Sequence, residues 1–406
     1  MTRARADRAP GDLPARVGAL FDAELREQLV ALRRAIHEDP ELSFQEERTA
    51  QRLERALALL APASLKRVAG TGVVARVRGD DPGAPVVAIR GDIDALPVRE
   101  DTGLSFASHN DGVMHACGHD VHATWAVGAA ALLARAPARG DVLVVLQPAE
   151  ETGKGAPAVL ESGALDGVQA IFGGHVDRRF PLGQVVADEG PLAASADTFE
   201  IELVGEGAHA ARPHESADPI VGLGALIGAL QTIVSRRLNP AVPGVVTIGT
   251  VHAGTASNVI PDRAILTGTV RAVDAGSRRL MLDEVRRIAE STAGTYRLTA
   301  RVALDLGTPP IVNPPTATAW ARSAARSLLG EECVVPLGFL NLAGEDFAHY
   351  MERIPGCFLR IGAREAGGVT IPAHAPKFYA AEESIFVGAA VLAETARVAS
   401  RELSAR

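Results

Sequence analysis

Cysteine is scarce: Cys117, Cys333 and Cys357 are the only three in 406 residues. Three cysteines give no disulfide framework to a chain of this size, so the sequence reads as a reduced, cytoplasmic protein. Aromatic residues make up only 4%, and the core must therefore come from Ala, Val, Leu and Ile. Lysine is confined to Lys66, Lys154 and Lys377, and the formal net charge is -8. That balance disfavours a nucleic-acid partner held by phosphate neutralisation. No run approaches the roughly 18 apolar residues that span a bilayer. Met1 to Pro10 has no apolar stretch of a secretory signal and is expected to fray. Present in quantity are 40 glycines and 25 prolines, which imply many turns. With 47% hydrophobic residues the chain is a folded protein, and its length suits two domains at about 150 residues each.

The first helix is marked by Leu25, Leu29, Leu32 and Ile36 on one stripe, with Asp22 as its cap and Asp39-Pro40 as its stop. Ser43-Phe44-Gln45-Glu46 reads as a capping box opening a second helix through Leu53 and Leu57. Apolar β-rich runs follow at 72–77, 85–89, 142–146 and 169–172, separated by helical stretches at about 119–135 and 155–162. Strands apolar on both faces that alternate with helices predict an α/β fold with a mixed, largely parallel sheet and flanking helices. From about residue 194 the pattern changes to strand, helix, two strands, helix, strand. This βαββαβ order predicts an inserted ferredoxin-like domain. The expected organisation is a catalytic α/β domain in two parts, 1–193 and 306–406, around an insert at 194–305. The last element is an alanine-rich helix from about Ser384.

Acids and histidines cluster just after the predicted strands: Asp92 and Asp94, then Glu150 and Glu151, then His175. Open α/β sheets bind ligands beyond the carboxyl ends of their strands. The densest string is His115-Ala116-Cys117-Gly118-His119-Asp120-Val121-His122. Sulfur and nitrogen donors two positions apart select zinc-like divalent metals, and added carboxylates suit a second metal or manganese. A lone histidine would be read as an incidental side chain, but four donors in eight residues reverse those odds. Within Glu150-Glu151, one carboxylate can bind metal while its neighbour acts as general base. Three other patterns fail. Gly205-Glu206-Gly207 is followed by Pro213 and Pro219, which prevent the helix of a dinucleotide site; Gly153-Lys154-Gly155 lacks the rest of a P-loop; and His214-Glu215 has no second histidine four residues on.

Several segments resemble the M20 metallopeptidase family, above all its amidohydrolase branch of aminoacylases, hippurate hydrolases and auxin-conjugate hydrolases. They are His37-Glu38-Asp39-Pro40-Glu41-Leu42, Gly91 to Pro97, His115 to Asp120 and Gln147 to Glu151. Further on come His209 to His214, Ser257 to Pro261, Gly344 to Phe347 and His374 to Phe378. They run in order from about residue 28 to the C-terminus. The resemblance implies two divalent metal ions (Zn, Mn, Co or Ni) held by Cys117, His119, Glu151, His175 and His374, with Cys117 bridging. It also implies Glu150 as general base and Asp94 as the acid that orients a ligand imidazole. His209 would reach a partner subunit's active site, and Asn258 and Arg271 would hold the substrate's carbonyl or carboxylate. A homodimer through the insert, acting as lid and dimerisation domain, is expected. One departure stands out: Val176-Asp177-Arg178-Arg179 follows His175 where the family has aromatic and small residues, and is expected to bring charge to the rim.

The implied activity is hydrolysis of the amide bond of an N-acetyl, N-benzoyl or similar N-acyl amino acid. Alternatives are a dipeptidase or carboxypeptidase of the same family, a hydrolase with Cys117 as nucleophile beside His115 or His119, and a binding protein without catalysis.

Overall fold

The computed structural model describes residues 13–405, so the expected fraying of Met1 to Pro10 lies outside the described residues. The chain forms two compact units, one comprising the chain up to Gly190 with Asn313–Gly338 and the chain from His349, the other Pro191–Val312 with Phe339–Ala348.

The first unit opens with α1 (Ala15–Gly18) and α2 (Ala23–Glu38). The Asp22 side chain accepts from Leu25 N at 2.8 Å and caps α2, whose Leu25, Leu29 and Ile36 are buried. The expected capping box does not form. Helix α3 (Glu47–Ala58) is entered without a side-chain bond from its own N-cap, and the N–H groups of Arg48 and Thr49 donate to the Glu41 carboxylate instead. Phe44 sits at φ 61°. That left-handed turn diverts Ser43 and Glu46 inward, to partners on other elements.

Next come β1 (Ser64–Val68), β2 (Gly72–Val77), β3 (Val86–Asp92), α4 (His119–Arg135), β4 (Val142–Gln147), α5 (Gly155–Glu161), β5 (Val168–Pro181) and β6 (Val185–Val186). The second unit supplies β7 (Gly190–Ala193), β8 (Asp197–Val204), β9 (Ala208–His209), α6 (Pro219–Leu230), β10 (Gly244–Ala253), β11 (Val259–Ile260), β12 (Arg263–Ala272), α7 (Ala275–Thr295), β13 (Thr299–Asp305) and β14 (Ile311–Asn313). After α8 (Pro315–Leu329) and α9 (Phe347–Met351), β15 (Gly356–Arg364) and α10 (Ser384–Ser404) complete the first unit.

The seven-stranded sheet of the first unit has the order β1-β2-β4-β3-β5-β15-β6. Its centre, β4-β3-β5-β15, is parallel, and its margins are antiparallel. All six residues of β4 are buried, as a central parallel strand requires. Helix α4 is buried from His119 to Leu133, which explains why it is apolar all round. The low aromatic content has a packing counterpart here. Trp125 on α4 is fully buried, and a Cβ at Gly388 of α10 would lie 2.2 Å from its ring. Removing such a side chain leaves a cavity costing roughly 3–5 kcal/mol.

In the second unit, four strands in the order β10-β12-β8-β13 are all antiparallel. With α6 and α7 they make the ferredoxin-like arrangement predicted from the pattern. Phe199, Ile201 and Leu203 alternate inward on β8 against Leu223, Leu226 and Leu230 of α6.

Candidate metal centre

Strand β3 lies between β4 and β5. The chain leaves β3 through α4 to β4 on one side, then crosses through α5 to β5 on the other. A crevice forms at the carboxyl ends where the direction of winding reverses. Asp92 ends β3, with Asp94 two residues beyond; β4 ends at Gln147, before the turn that carries Glu150 and Glu151; and His119 begins α4. Gly118, just before it, is at φ 91°, and a Cβ there would meet Val176 Cγ2 at 2.5 Å. Only glycine permits both the turn and the approach. His175 lies inside β5, not beyond it as the short predicted strand suggested. Parallel pairing with β15, where Arg360 is its partner, extends β5 to Pro181.

These elements bring together five donors. Cys117 Sγ is 3.1 Å from His175 Nε2, and His374 Nε2 is 3.4 Å from Glu151 Oε1. His119 Nε2 is 3.8 Å from Glu151 Oε1 and 3.8 Å from Glu150 Oε2. Two triads with donor atoms within 4.8 Å of one another share a single residue: Cys117, His119 and His175, and Cys117, Glu151 and His374. Bonds of about 2.0–2.3 Å to a tetrahedral ion put neighbouring donors about 3.3–3.8 Å apart; the His374–Glu151 and His119–Glu151 distances fall in that range and the Cys117–His175 distance of 3.1 Å just below it.

The donor set also needs an ion. His119 Nε2 and Glu151 Oε1 are buried and have no hydrogen-bond partner among the described residues. Leaving such atoms unpaired costs roughly 1–3 kcal/mol each. The other nitrogen of His119 is fixed: Nδ1 donates to the Asp94 carbonyl at 2.9 Å and lies 3.2 Å from Asp94 Oδ1, so Nε2 faces the other donors. Burial, and then the carboxylates of Glu151 and Glu150, push the Cys117 thiol well up. Burial opposes charge on His119, but Asp92, Asp94 and Cys117 outweigh it and raise its pKa well above the usual range. A divalent cation would reverse both tendencies, since a coordinating thiol is deprotonated outright.

Against this geometry, the comparisons with known proteins are specific. The model of peptidase family M20/M25/M40 matches residues 88–398. The chain belongs to this family. It is 43% identical over 385 residues to the N-acetylcysteine deacetylase of Bacillus subtilis, covering 93% of this chain and 98% of that protein. It is 36% identical over 373 residues to thermostable carboxypeptidase 1 of Saccharolobus solfataricus, covering 90% and 94%. Among solved structures, a Bacillus subtilis protein described as a dinuclear metal-binding peptidase from the M20 family superposes with a TM-score of 0.83 at 39% identity, over 94% of this chain and 99% of that one. Family, fold and donor set make this chain a metal-dependent hydrolase of amide bonds.

The other residues of the dense string do different work. Asp120 binds the buried Arg33 and His37 at 2.7 and 2.8 Å. His122 lies 2.7 Å from Asp92 through Nδ1, and its Nε2 accepts the Val176 N–H at 2.9 Å, which steadies β5 next to His175. His115 is buried with both ring nitrogens unpartnered among the described residues, and burial above all pulls its pKa down to about 4. It joins no donor cluster.

The charge expected at the rim after His175 is largely internal. Asp177 and Arg178 are buried. Arg178 makes a two-pronged ion pair with Glu365 at 2.7 and 3.0 Å, while Arg179 pairs with Asp177 at 2.7 Å. Strand β5 runs on past His175 with both of its faces covered, so Asp177 and Arg178 are buried on opposite sides while Arg179 is exposed.

In the second unit, His209 and Asn258 line one groove of about 590 Å³, together with Thr255, Val259 and Pro261. Strands β9 and β11 form that wall by pairing His209 with Val259. Arg271, on β12, is not among the lining residues. Ser43 and Glu46 were missed as site residues by sequence reasoning, because their string carries the letters of a capping box.

Proposed function

We propose that this protein hydrolyses the amide bond of N-acyl amino acids, with Cys117, His119, Glu151, His175 and His374 as the residues that would hold two divalent ions and Glu150 as general base. The observation that carries the reading is the pair of donor triads sharing Cys117, with Glu150 outside both of them and 3.8 Å from His119. The 43% identity to a deacetylase of N-acetylcysteine supports an N-acyl amino acid as substrate. Bound divalent ions supply Lewis acidity and lower the pKa of water from about 15.7 to about 7.

The chain's own residues do the rest. Glu150 takes a proton from the attacking water and delivers it to the leaving amine nitrogen, so that amide and water become carboxylate and free amino acid. Asp94 holds the ligand imidazole of His119 and accepts the backbone N–H groups of Glu150 and Glu151, both at 3.1 Å. His209 accepts from Ala211 N on Nδ1 at 3.0 Å, so its neutral ring carries the proton on Nε2. That N–H is a donor for the scissile carbonyl oxygen, given in trans by the partner subunit of a homodimer. Asn258 shares its groove and would hold the same carbonyl. Arg271 is half-buried without a partner among the described residues and suits the substrate carboxylate. The insert, at 194–305, would be lid and dimerisation domain, and 1–193 with 306–406 the catalytic domain. Thiolate, imidazole and carboxylate together fit Zn, Mn, Co or Ni. The low cysteine count fits a cytoplasmic enzyme, and no described helix is long and apolar enough to cross a membrane.

A second reading, carboxypeptidase or dipeptidase action, is favoured by the 36% identity to a carboxypeptidase. Cysteine-nucleophile chemistry fits less well, since Cys117 is 7% exposed and lies among acids. A purified, metal-loaded enzyme should turn over N-acetyl and N-benzoyl amino acids and leave free-amino dipeptides nearly untouched. The opposite preference would replace this reading with the second. Turnover of neither would revive the binding protein.

A further inference from the structure

The turn that presents Glu150 and Glu151 does not hold itself. Ala149, fully buried, sits at φ 53° and ψ 40°, a left-handed conformation disfavoured for a residue with a Cβ. Its N–H donates to Glu46 Oε1 at 2.9 Å. The other oxygen, Glu46 Oε2, accepts from Thr71 Oγ1 at 2.5 Å. Three residues before Glu46, Ser43 Oγ donates to Asp94 Oδ2 at 2.7 Å, and Asp94 accepts the N–H groups of Glu150 and Glu151. Three successive backbone donors, at 149, 150 and 151, are thus held by carboxylates that the Leu42–Glu46 turn supplies or braces.

Glu46 is 0% exposed and forms no ion pair among the described residues. Burial is the largest influence on it and raises its pKa. A polar group this deep is costly unless hydrogen-bonded. It is not required for capping, since Glu41 caps α3. We infer that Glu46 is a positioning residue for the catalytic turn, with Ser43 a second handle on the same turn through Asp94. The inference rests on Glu150 as base and Glu151 as ligand. Its physical content is that a carboxylate displaced by about 1 Å loses on the order of 10²-fold in rate.

The experiment compares Glu46→Leu, Glu46→Gln, Ser43→Ala and Glu150→Gln with wild type. It measures kcat, KM and metal content of the loaded enzymes, and hydrogen exchange of the 149–151 amides in metal-stripped protein. Glu46→Leu should lower kcat about 10–100-fold, as loss of an outer supporting bond does, with KM within about threefold. Its 149–151 amides should exchange faster without metal. Glu46→Gln should recover most of the rate and the protection, because its amide oxygen still accepts from Ala149 and its NH₂ can donate to Thr71. Ser43→Ala should show a smaller loss in the same direction. Should Glu46→Leu fail to fold, Glu46→Asp keeps the charge and shortens the reach; it should lower kcat and speed the same amides. A folded, loaded Glu46→Leu, or Glu46→Asp in its place, with wild-type kcat and exchange overturns the inference. Full activity in Glu150→Gln would instead remove the base assignment, and the exchange measurement would then judge Glu46 by itself.

Discussion

Glu150 and Glu151 are neighbours in the chain, and each has a carboxylate oxygen 3.8 Å from His119 Nε2. Glu151 Oε1 is buried without a hydrogen bond and lies 3.4 Å from His374 Nε2, where a ligand belongs. Glu150→Gln should therefore bind metal at wild-type stoichiometry while kcat falls about 10²–10⁴-fold, the range of general acid–base catalysis. Glu151→Gln and Cys117→Ala should lose bound metal together with rate. Elemental analysis beside initial rates checks all three, and normal metal content with normal rates in both glutamate variants would contradict the assignment. At this scale, legibility followed chemistry. Cys117 and His119 could be read as donors because thiolate and imidazole so close together have few other uses. Ser43 and Glu46 could not, because hydroxyl and carboxylate three apart look the same whether they cap a helix or brace a distant turn. The deciding event is the left-handed turn at Phe44.

The segment that carries His374 is tied down by one residue of β5. Arg178 donates to the carbonyls of Ala363, Val369 and Tyr379 as well as to Glu365, and its guanidinium lies 4.2 Å from the Tyr379 ring centroid. Partial burial raises the Glu365 pKa, but hydrogen bonds from Arg178 and Tyr379 outweigh it and lower it from 4.5 to about 2. A depressed carboxylate pKa contributes stability above its ordinary value and loses it as pH falls through the folded one. The thermal midpoint of wild type should thus fall toward that of Glu365→Gln as pH drops from about 5 to about 2. A gap that stays constant over that window would contradict the clamp. Strands β2 and β4 were readable as apolar runs, and α4 as an apolar helix. The length of β5 was not, because it depends on β15, whose glycines and arginines break the apolar pattern and whose partner lies about 185 residues earlier.

The ferredoxin-like insert was legible as a whole because β8 and β12 alternate along their length and the order of its elements is a signature in itself. If His209 acts in trans, mixing inactive His209→Ala with inactive Glu150→Gln should restore about a quarter of wild-type activity after subunit exchange, since one site in each mixed dimer has both residues. Activity staying at the level of the single variants, with exchange demonstrated, would remove the trans role and leave the metal chemistry standing. That chemistry is the central claim, and metal titration tests it most directly. Protein stripped by a chelator is titrated with Mn, Co or Zn while bound ions and turnover of an N-acetyl amino acid are followed together. Activity should be absent from the stripped protein and should level off as two ions per chain are bound, one for each donor triad. Full activity in the metal-free protein would contradict the account.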